Sequence, residues 1–152
     1  MNYLDANFIA ALHFNIAGHT DLAETFVRKA PLPFVVSGLG ELECRRAFIR
    51  RAGHSQSENW LRFQERLDGG AWLRLDVEWA KAEDRAAALM EKLRVKVNCG
   101  TLDILHVALA QMAGCTWFLS FDTNSNARVL AASARLKVYP ELSPSEKGRV
   151  VH

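Results

Sequence analysis

The chain is predicted to fold as an α/β protein, a three-layer α/β/α sandwich with a mostly parallel central sheet, and three observations predict it. Short apolar runs of strand length recur along the sequence, and amphipathic helical patterns separate them. Strands separated by helices need crossover connections, which give parallel pairing and a sheet covered on both faces. The composition, 152 residues with 49% hydrophobic and 24% charged, is that of an ordinary globular chain able to bury a core without disulfides or a structural metal.

Taken in order, the strand-like runs are Tyr3-Leu4, Pro33 to Val36, Thr116 to Leu119 and Leu136 to Tyr139. Helical patterns are expected over 7–15, 20–29, 38–51, 56–67 and 77–93. They are clearest where Leu102, Leu105, Leu109 and Met112 recur at helical spacing, and again at Ala127, Leu130, Ala131 and Ala134. The stretch from His54 to Asp76 contains Gly69-Gly70 and a short extended piece, Trp72 to Leu75, so it and the two helices around it are expected to form an excursion from the sheet. One domain is expected over 1–140, followed by a polar tail, 141–152, with Pro144 and Gly148, expected to fray and add little to the core.

Composition also excludes several classes. Three cysteines, Cys44, Cys99 and Cys115, form no Cys-x-x-Cys pair, against a secreted disulfide scaffold and a zinc knuckle. The formal charge of +2 allows nucleic-acid binding only through a local basic patch. The apolar run from Phe8 to Leu12 is too short for a signal-peptide core or a membrane span, so a soluble, cytoplasmic protein is expected.

The acids carry the chemistry. Asp5 follows the first strand, Asp103 sits in the first turn of the 102–112 helix, and Asp122 follows the Thr116 to Leu119 run. Taken singly, each is accounted for as a cap or as a complement to the helix dipole. In a parallel sheet, however, the carboxyl ends of neighbouring strands open onto one crevice. Acids gathered there repel one another unless a hard, oxygen-seeking cation such as Mg²⁺ or Mn²⁺ holds them. Glu43 lies about two turns beyond the expected N-cap, Ser37, so capping does not explain it; it shares a face with Leu39 and Ala47 beside an apolar stripe including Leu42 and Ile49. The bland alternative is an ion pair with Arg46 or Arg50.

Four segments, YLDANFIAAL at 3–12, VVSGLGELECRRAF at 35–48, TLDILHVALA at 101–110 and FLSFDTNSNARVLAASARLKV at 118–138, resemble the PIN-domain nucleases, and in particular the VapC-type toxins of bacterial type II toxin–antitoxin pairs. Asp5, Glu43, Asp103 and Asp122 match the family's four acids one by one. The resemblance implies a PIN-like sandwich and metal-dependent hydrolysis of RNA phosphodiesters, with Mg²⁺ or Mn²⁺ held by Asp5 and Asp103 directly and by Glu43 and Asp122 directly or through water. Transfer RNA or another structured RNA is the implied substrate, a cognate antitoxin protein the implied partner, and a homodimer through helices near 38–67 the implied assembly. The sequence departs from the pattern at Asn7, where Ser or Thr is frequent, at Gly100, where Arg is frequent, and at Ser125, where Gln is frequent.

Asn7, Ser120 and Asn124 are candidates to orient water or phosphate. Of the basic residues Arg45, Arg46, Arg50, Arg51, Arg62 and Arg66, Arg46 is expected at the crevice rim because it stands three residues after Glu43. The stripe Trp60, Phe63, Leu67 reads as core or dimer packing, and His106 as a packed helix residue rather than a general base. A zinc site is not expected. Two other classes remain: a non-catalytic PIN-like scaffold that binds RNA or protein, disfavoured by the presence of all four acids, and another Mg²⁺-dependent α/β enzyme such as a phosphatase, disfavoured because the first motif reads Asp-Ala-Asn.

Overall fold

A computed structural model describes residues 1–54, 57–93 and 97–152. The chain runs β1 (Asn2–Leu4), α1 (Ala6–His13), α2 (Thr20–Lys29), β2 (Phe34–Ser37), α3 (Gly38–Ala52), α4 (Glu58–Asp68), β3 (Trp72–Leu75), α5 (Trp79–Leu93), α6 (Thr101–Met112), β4 (Trp117–Leu119), α7 (Ala127–Ser133), β5 (Lys137–Tyr139) and α8 (Pro144–Lys147). The expected start of the fourth helix at Gln56 lies outside the described residues. No described helix is long and apolar enough to cross a membrane.

The sheet has the order β3-β2-β1-β4-β5 with every pairing parallel, as the sequence predicts. Strand residues alternate between two cores because successive side chains leave a strand on opposite faces. Tyr3, Val35 and Phe118 join the α5, α6 and α7 layer, while Leu4, Phe34, Val36 and Leu119 join the layer of α1 to α4. The chain leaves β1 towards β2 on one side and later returns to β4 on its other side. That reversal opens a crevice at the carboxyl ends of β1 and β4.

Two expectations are corrected. Trp72 to Leu75 is no excursion: it is the edge strand β3, paired in register with all of β2, and only Trp72 of its residues is buried. The segment after Pro140 does not fray. Ser143 accepts from the Glu146 N–H at 3.2 Å while the Glu146 carboxylate takes the Ser143 N–H at 2.8 Å, a reciprocal cap that starts α8. Glu146 and Arg128 are both almost fully buried and paired at 2.8 Å. Val150 and Val151 pack against the core.

The helix phase of α3 also differs from expectation. Its buried residues are Gly40, Cys44 and Phe48, and Leu42 and Ile49 are exposed at 63% and 39%. Gly53, in the left-handed conformation at φ 80°, ends the helix by returning its N–H to the Ile49 carbonyl at 2.8 Å. Trp60, Phe63 and Leu67 are buried, so their stripe is core.

His13 closes α1 inside that core. Its Nδ1–H donates to the Ile9 carbonyl at 2.8 Å, and its ring meets Phe48, Phe63 and Trp72. Burial among aromatic rings disfavours the imidazolium and lowers the pKa to about 4.

Two outcomes follow. Glu146→Gln leaves the buried Arg128 guanidinium without its counter-charge and is expected to cost about 3 kcal/mol in urea unfolding. Because the folded pKa of His13 lies below its unfolded value, its contribution is complete above pH 6.5 and is lost as pH falls towards the folded value, up to about 3 kcal/mol. In His13→Phe protein that part of the acid-side loss, read from unfolding midpoints at stepped pH, is expected to disappear.

Candidate active site

Asp5 is the first residue beyond β1. Its N–H donates to the Leu119 carbonyl at 3.0 Å, so it continues the ladder between β1 and β4 and stands beside Ser120. One carboxylate oxygen caps α1 by accepting the Ala6 N–H at 2.8 Å. The other accepts the Ser120 hydroxyl at 2.6 Å and the Asn7 amide at 3.2 Å. Asn7 in turn accepts the Phe121 N–H at 2.9 Å, and the Ser120 hydroxyl accepts the Asp122 N–H at 3.1 Å. The ends of the two central strands are thus laced together by polar side chains around one carboxylate.

Glu43 reaches the same place from α3. Its carboxylate accepts His106 Nε2 at 2.5 Å, while His106 Nδ1 meets the Tyr3 hydroxyl at 2.7 Å and that hydroxyl meets the Ser37 Oγ at 2.8 Å. Ser37 also caps α3, accepting the Gly40 N–H at 3.0 Å. Burial works against the His106 imidazolium, but the hydrogen bond to Glu43 and the charges of Asp5, Glu43 and Asp103 outweigh it and raise the pKa. With the ring protonated, donation runs from Nδ1 to Tyr3 and from Tyr3 to Ser37. The Tyr3 phenol stays protonated, since burial raises its pKa. The alternative reading of Glu43, an ion pair with Arg46 or Arg50, is not what the structure has; its partner is His106.

Asp5, Glu43 and His106 offer ligand atoms within 4.8 Å of one another. Asp103, in the first turn of α6, and Asp122 line the same crevice of about 400 Å³, together with Asn7, Asn124, Ala47, Arg51 and His19. Asp122 is held by the Asn124 and Ser125 N–H groups at 2.9 and 3.1 Å, a side-chain turn that aims its carboxylate without needing a helix cap. Burial raises the Asp5 pKa, and burial followed by repulsion from Asp122 and Asp5 raises that of Asp103.

Four carboxylates in one crevice, two of them raised by burial, form a site that a bound cation would relieve. Both nitrogens of His106 are engaged, by Tyr3 and Glu43, so the donors left free are oxygens. That set fits a hard divalent ion such as Mg²⁺ or Mn²⁺. The thiols are no substitute nucleophiles: burial pushes Cys99 up to about 12 and Cys44 well above the ordinary range.

Two expected contacts are corrected. Ser120 is fully buried, so its hydroxyl positions Asp5 and cannot meet substrate. Arg46 is exposed and does not line the crevice; Arg51 does. Sequence reasoning missed His19, whose ring lies flat on Phe121 at 4.2 Å, and missed Tyr3, since an aromatic in a strand signals only packing.

The PIN-domain family model matches residues 3–130. Among solved structures, the chain is similar to VapC20 of Mycobacterium tuberculosis, described as a sarcin–ricin loop cleaving toxin, with TM-score 0.70 and 18% identity over 92% of this chain and 100% of that one. It is similar also to FitAcB of Neisseria gonorrhoeae, with TM-score 0.63 and 16% identity over 91% of this chain and 96% of that one. No curated protein matches the sequence.

Tyr3→Phe keeps the ring and removes the hydroxyl joining Ser37 to His106, leaving a buried ring nitrogen unpartnered. A loss of about 2 kcal/mol in denaturant unfolding is expected, and an unchanged midpoint would show that the relay contributes nothing.

Proposed function

The chain belongs to the PIN-domain family, and on that footing we propose that it is a divalent-metal-dependent endoribonuclease, the toxin of a VapBC-type pair. The observation that carries the proposal is the convergence of Asp5, Glu43, Asp103 and Asp122 on one crevice at the β1/β4 switch point. Three of the four are held by hydrogen bonds: Asp5 by Ser120 and Asn7, Glu43 by His106, and Asp122 by the Asn124 and Ser125 N–H groups. A binding-only scaffold gains nothing from mutually repelling carboxylates so arranged.

On this reading the four acids hold Mg²⁺ or Mn²⁺. When bound, such an ion lowers the pKa of a water, polarises the scissile phosphate and offsets charge in the transition state. The protein's own part is positioning. Asp5 is held by buried hydrogen bonds and Glu43 by the half-buried one to His106, which keeps their oxygens in place before an ion arrives. Asn124, on the crevice wall, is the candidate donor to water or phosphate, while Asn7, on the same wall, spends its amide N–H groups on Asp5 and Ser120 and so acts by holding the carboxylate.

The remaining assignments rest on the family resemblance and on the fold shared with VapC20, which is described as a toxin. The substrate is transfer RNA or another structured RNA, a cognate antitoxin protein covers the acidic crevice, and the working compartment is the cytoplasm. Exposed Leu42, Ile49 and Leu61 on α3 and α4 supply apolar surface for a homodimer through the 38–67 region.

The test is incubation of the protein with purified total transfer RNA and ribosomal RNA in Mg²⁺, Mn²⁺ or EDTA, beside Asp103→Asn. Discrete fragments in either metal, absent with EDTA and reduced about a hundredfold or more in the variant, are the expected outcome. Intact RNA under all conditions, from protein that binds Mn²⁺ by calorimetry, would sink the nuclease assignment.

A further inference from the structure

An RNA strand reaching this crevice meets four carboxylates, so something near them must attract its phosphates. At Ala47 and Arg51 the crevice adjoins a second concavity of about 340 Å³ lined by Ala47, Arg50 and Arg51. Glu43, Ala47 and Arg51 recur at four-residue intervals on α3, so they follow one side of the helix and Arg51 lies about 12 Å along the axis from Glu43. Ala47, with a single side-chain carbon, keeps the way between them open.

The arginines of this region are not alike. Arg45 and Arg66 lie on the Trp60 and Trp72 rings, both at 4.7 Å, and Arg62 pairs with Glu58. None of the ion pairs among the described residues involves Arg50 or Arg51. Arg51 nonetheless stands in an acid-lined crevice. Its guanidinium rests over the Phe14 ring at 5.7 Å, and Phe14 is itself packed on Phe48 at 4.9 Å. Stacking steers the cation by its face and leaves its N–H fork free for an anion.

We infer that the concavity formed by Ala47, Arg50 and Arg51 is a phosphate subsite, which takes a backbone phosphate flanking the scissile one and so directs the RNA strand along α3. The inference rests on the ribonuclease reading and adds to it the path of the substrate. RNA is favoured over an acidic peptide because the subsite shares Ala47 and Arg51 with the crevice. A strand whose scissile phosphate sits at the acids necessarily brings another phosphate close by, whereas a peptide carboxylate gains nothing from continuing into four more.

The test measures transfer RNA binding by filter retention across a salt series, using the Asp103→Asn protein so that no cutting intervenes. Steady-state cleavage is measured separately in the otherwise native protein. Arg51→Gln is expected to reduce the slope of log affinity against log salt by about one and to raise KM about tenfold with kcat little changed. Arg51→Lys, which keeps the charge, restores most of the slope, and Ala47→Leu raises KM by obstructing the way with the charge intact. Arg85→Gln on α5, away from the crevice, is the comparison for a charge lost elsewhere. A slope for Arg51→Gln equal to that of Arg85→Gln, with native cleavage intact, overturns the subsite and leaves the nuclease standing. Weaker inhibition by an acidic peptide with RNA binding unaltered assigns the site to a protein partner and overturns the inference too. Native protein that neither binds nor cuts RNA overturns both readings.

Discussion

A carboxylate at the end of the innermost strand is the constraint on which the rest of this structure depends. β1 is paired on both edges and covered on both faces, so the backbone leads Asp5 to the carboxyl end of the best-buried element in the molecule. A charge there is costly unless it is bound by donors or a cation. The remedies come from the two elements that flank it: from α1 its N-terminus and Asn7, which also bridges to Phe121, and from the end of β4 Ser120. Meeting the needs of one buried acid fixes how β1, α1 and β4 meet, and those junctions are where Asp122 and Asn124 are then found.

The second acid is treated in a related way from the opposite layer. Tyr3 points into the α5 to α7 core, yet its hydroxyl reaches the carboxyl end of β2 and connects Ser37, at the head of α3, to His106 on α6. His106 then grips Glu43. The helix that carries Glu43 is therefore capped by one end of the relay, and the side chain of Glu43 is oriented by the other. Both layers of the sandwich are coupled at the carboxyl end of the sheet by a continuous run of hydrogen bonds, buried from Ser37 to His106 and half-buried at Glu43, a setting in which hydrogen bonding specifies one arrangement sharply.

The acids were legible in the sequence because each stands where an element begins or ends, or, for Glu43, where helix chemistry gives no other reason for it. Their partners were not. Tyr3 and His106 are 103 residues apart and His106 and Glu43 are 63 apart, and no local period signals a hydrogen bond across such intervals. The phase of α3 was misjudged because its buried stripe uses Gly40 and Cys44, small residues that weigh little in a count of large apolar side chains, while Leu42 and Ile49 face outward. At about 100° per residue, Arg46 and Arg51 leave the helix on opposite sides of Glu43, so the choice between them depended on that phase. Trp72 to Leu75 looked detached because an edge strand buries only part of itself. The final segment looked frayed because a polar string does not disclose a buried ion pair, although Ser143, Pro144 and Glu146 spell a helix start.

The hydrogen bond between Ser120 and Asp5 spans 115 residues, and this separation governs when the site can exist during synthesis. A chain emerging from the ribosome exposes Asp5 early, solvated and without its partners, and it remains so until β4 has been made and inserted beside β1. Long-range parallel pairing of this kind is slow and cooperative because loop closure precedes any gain. No shorter nascent fragment brings Asp5 and Ser120 together, so the acid crevice is among the last features of the molecule to be assembled.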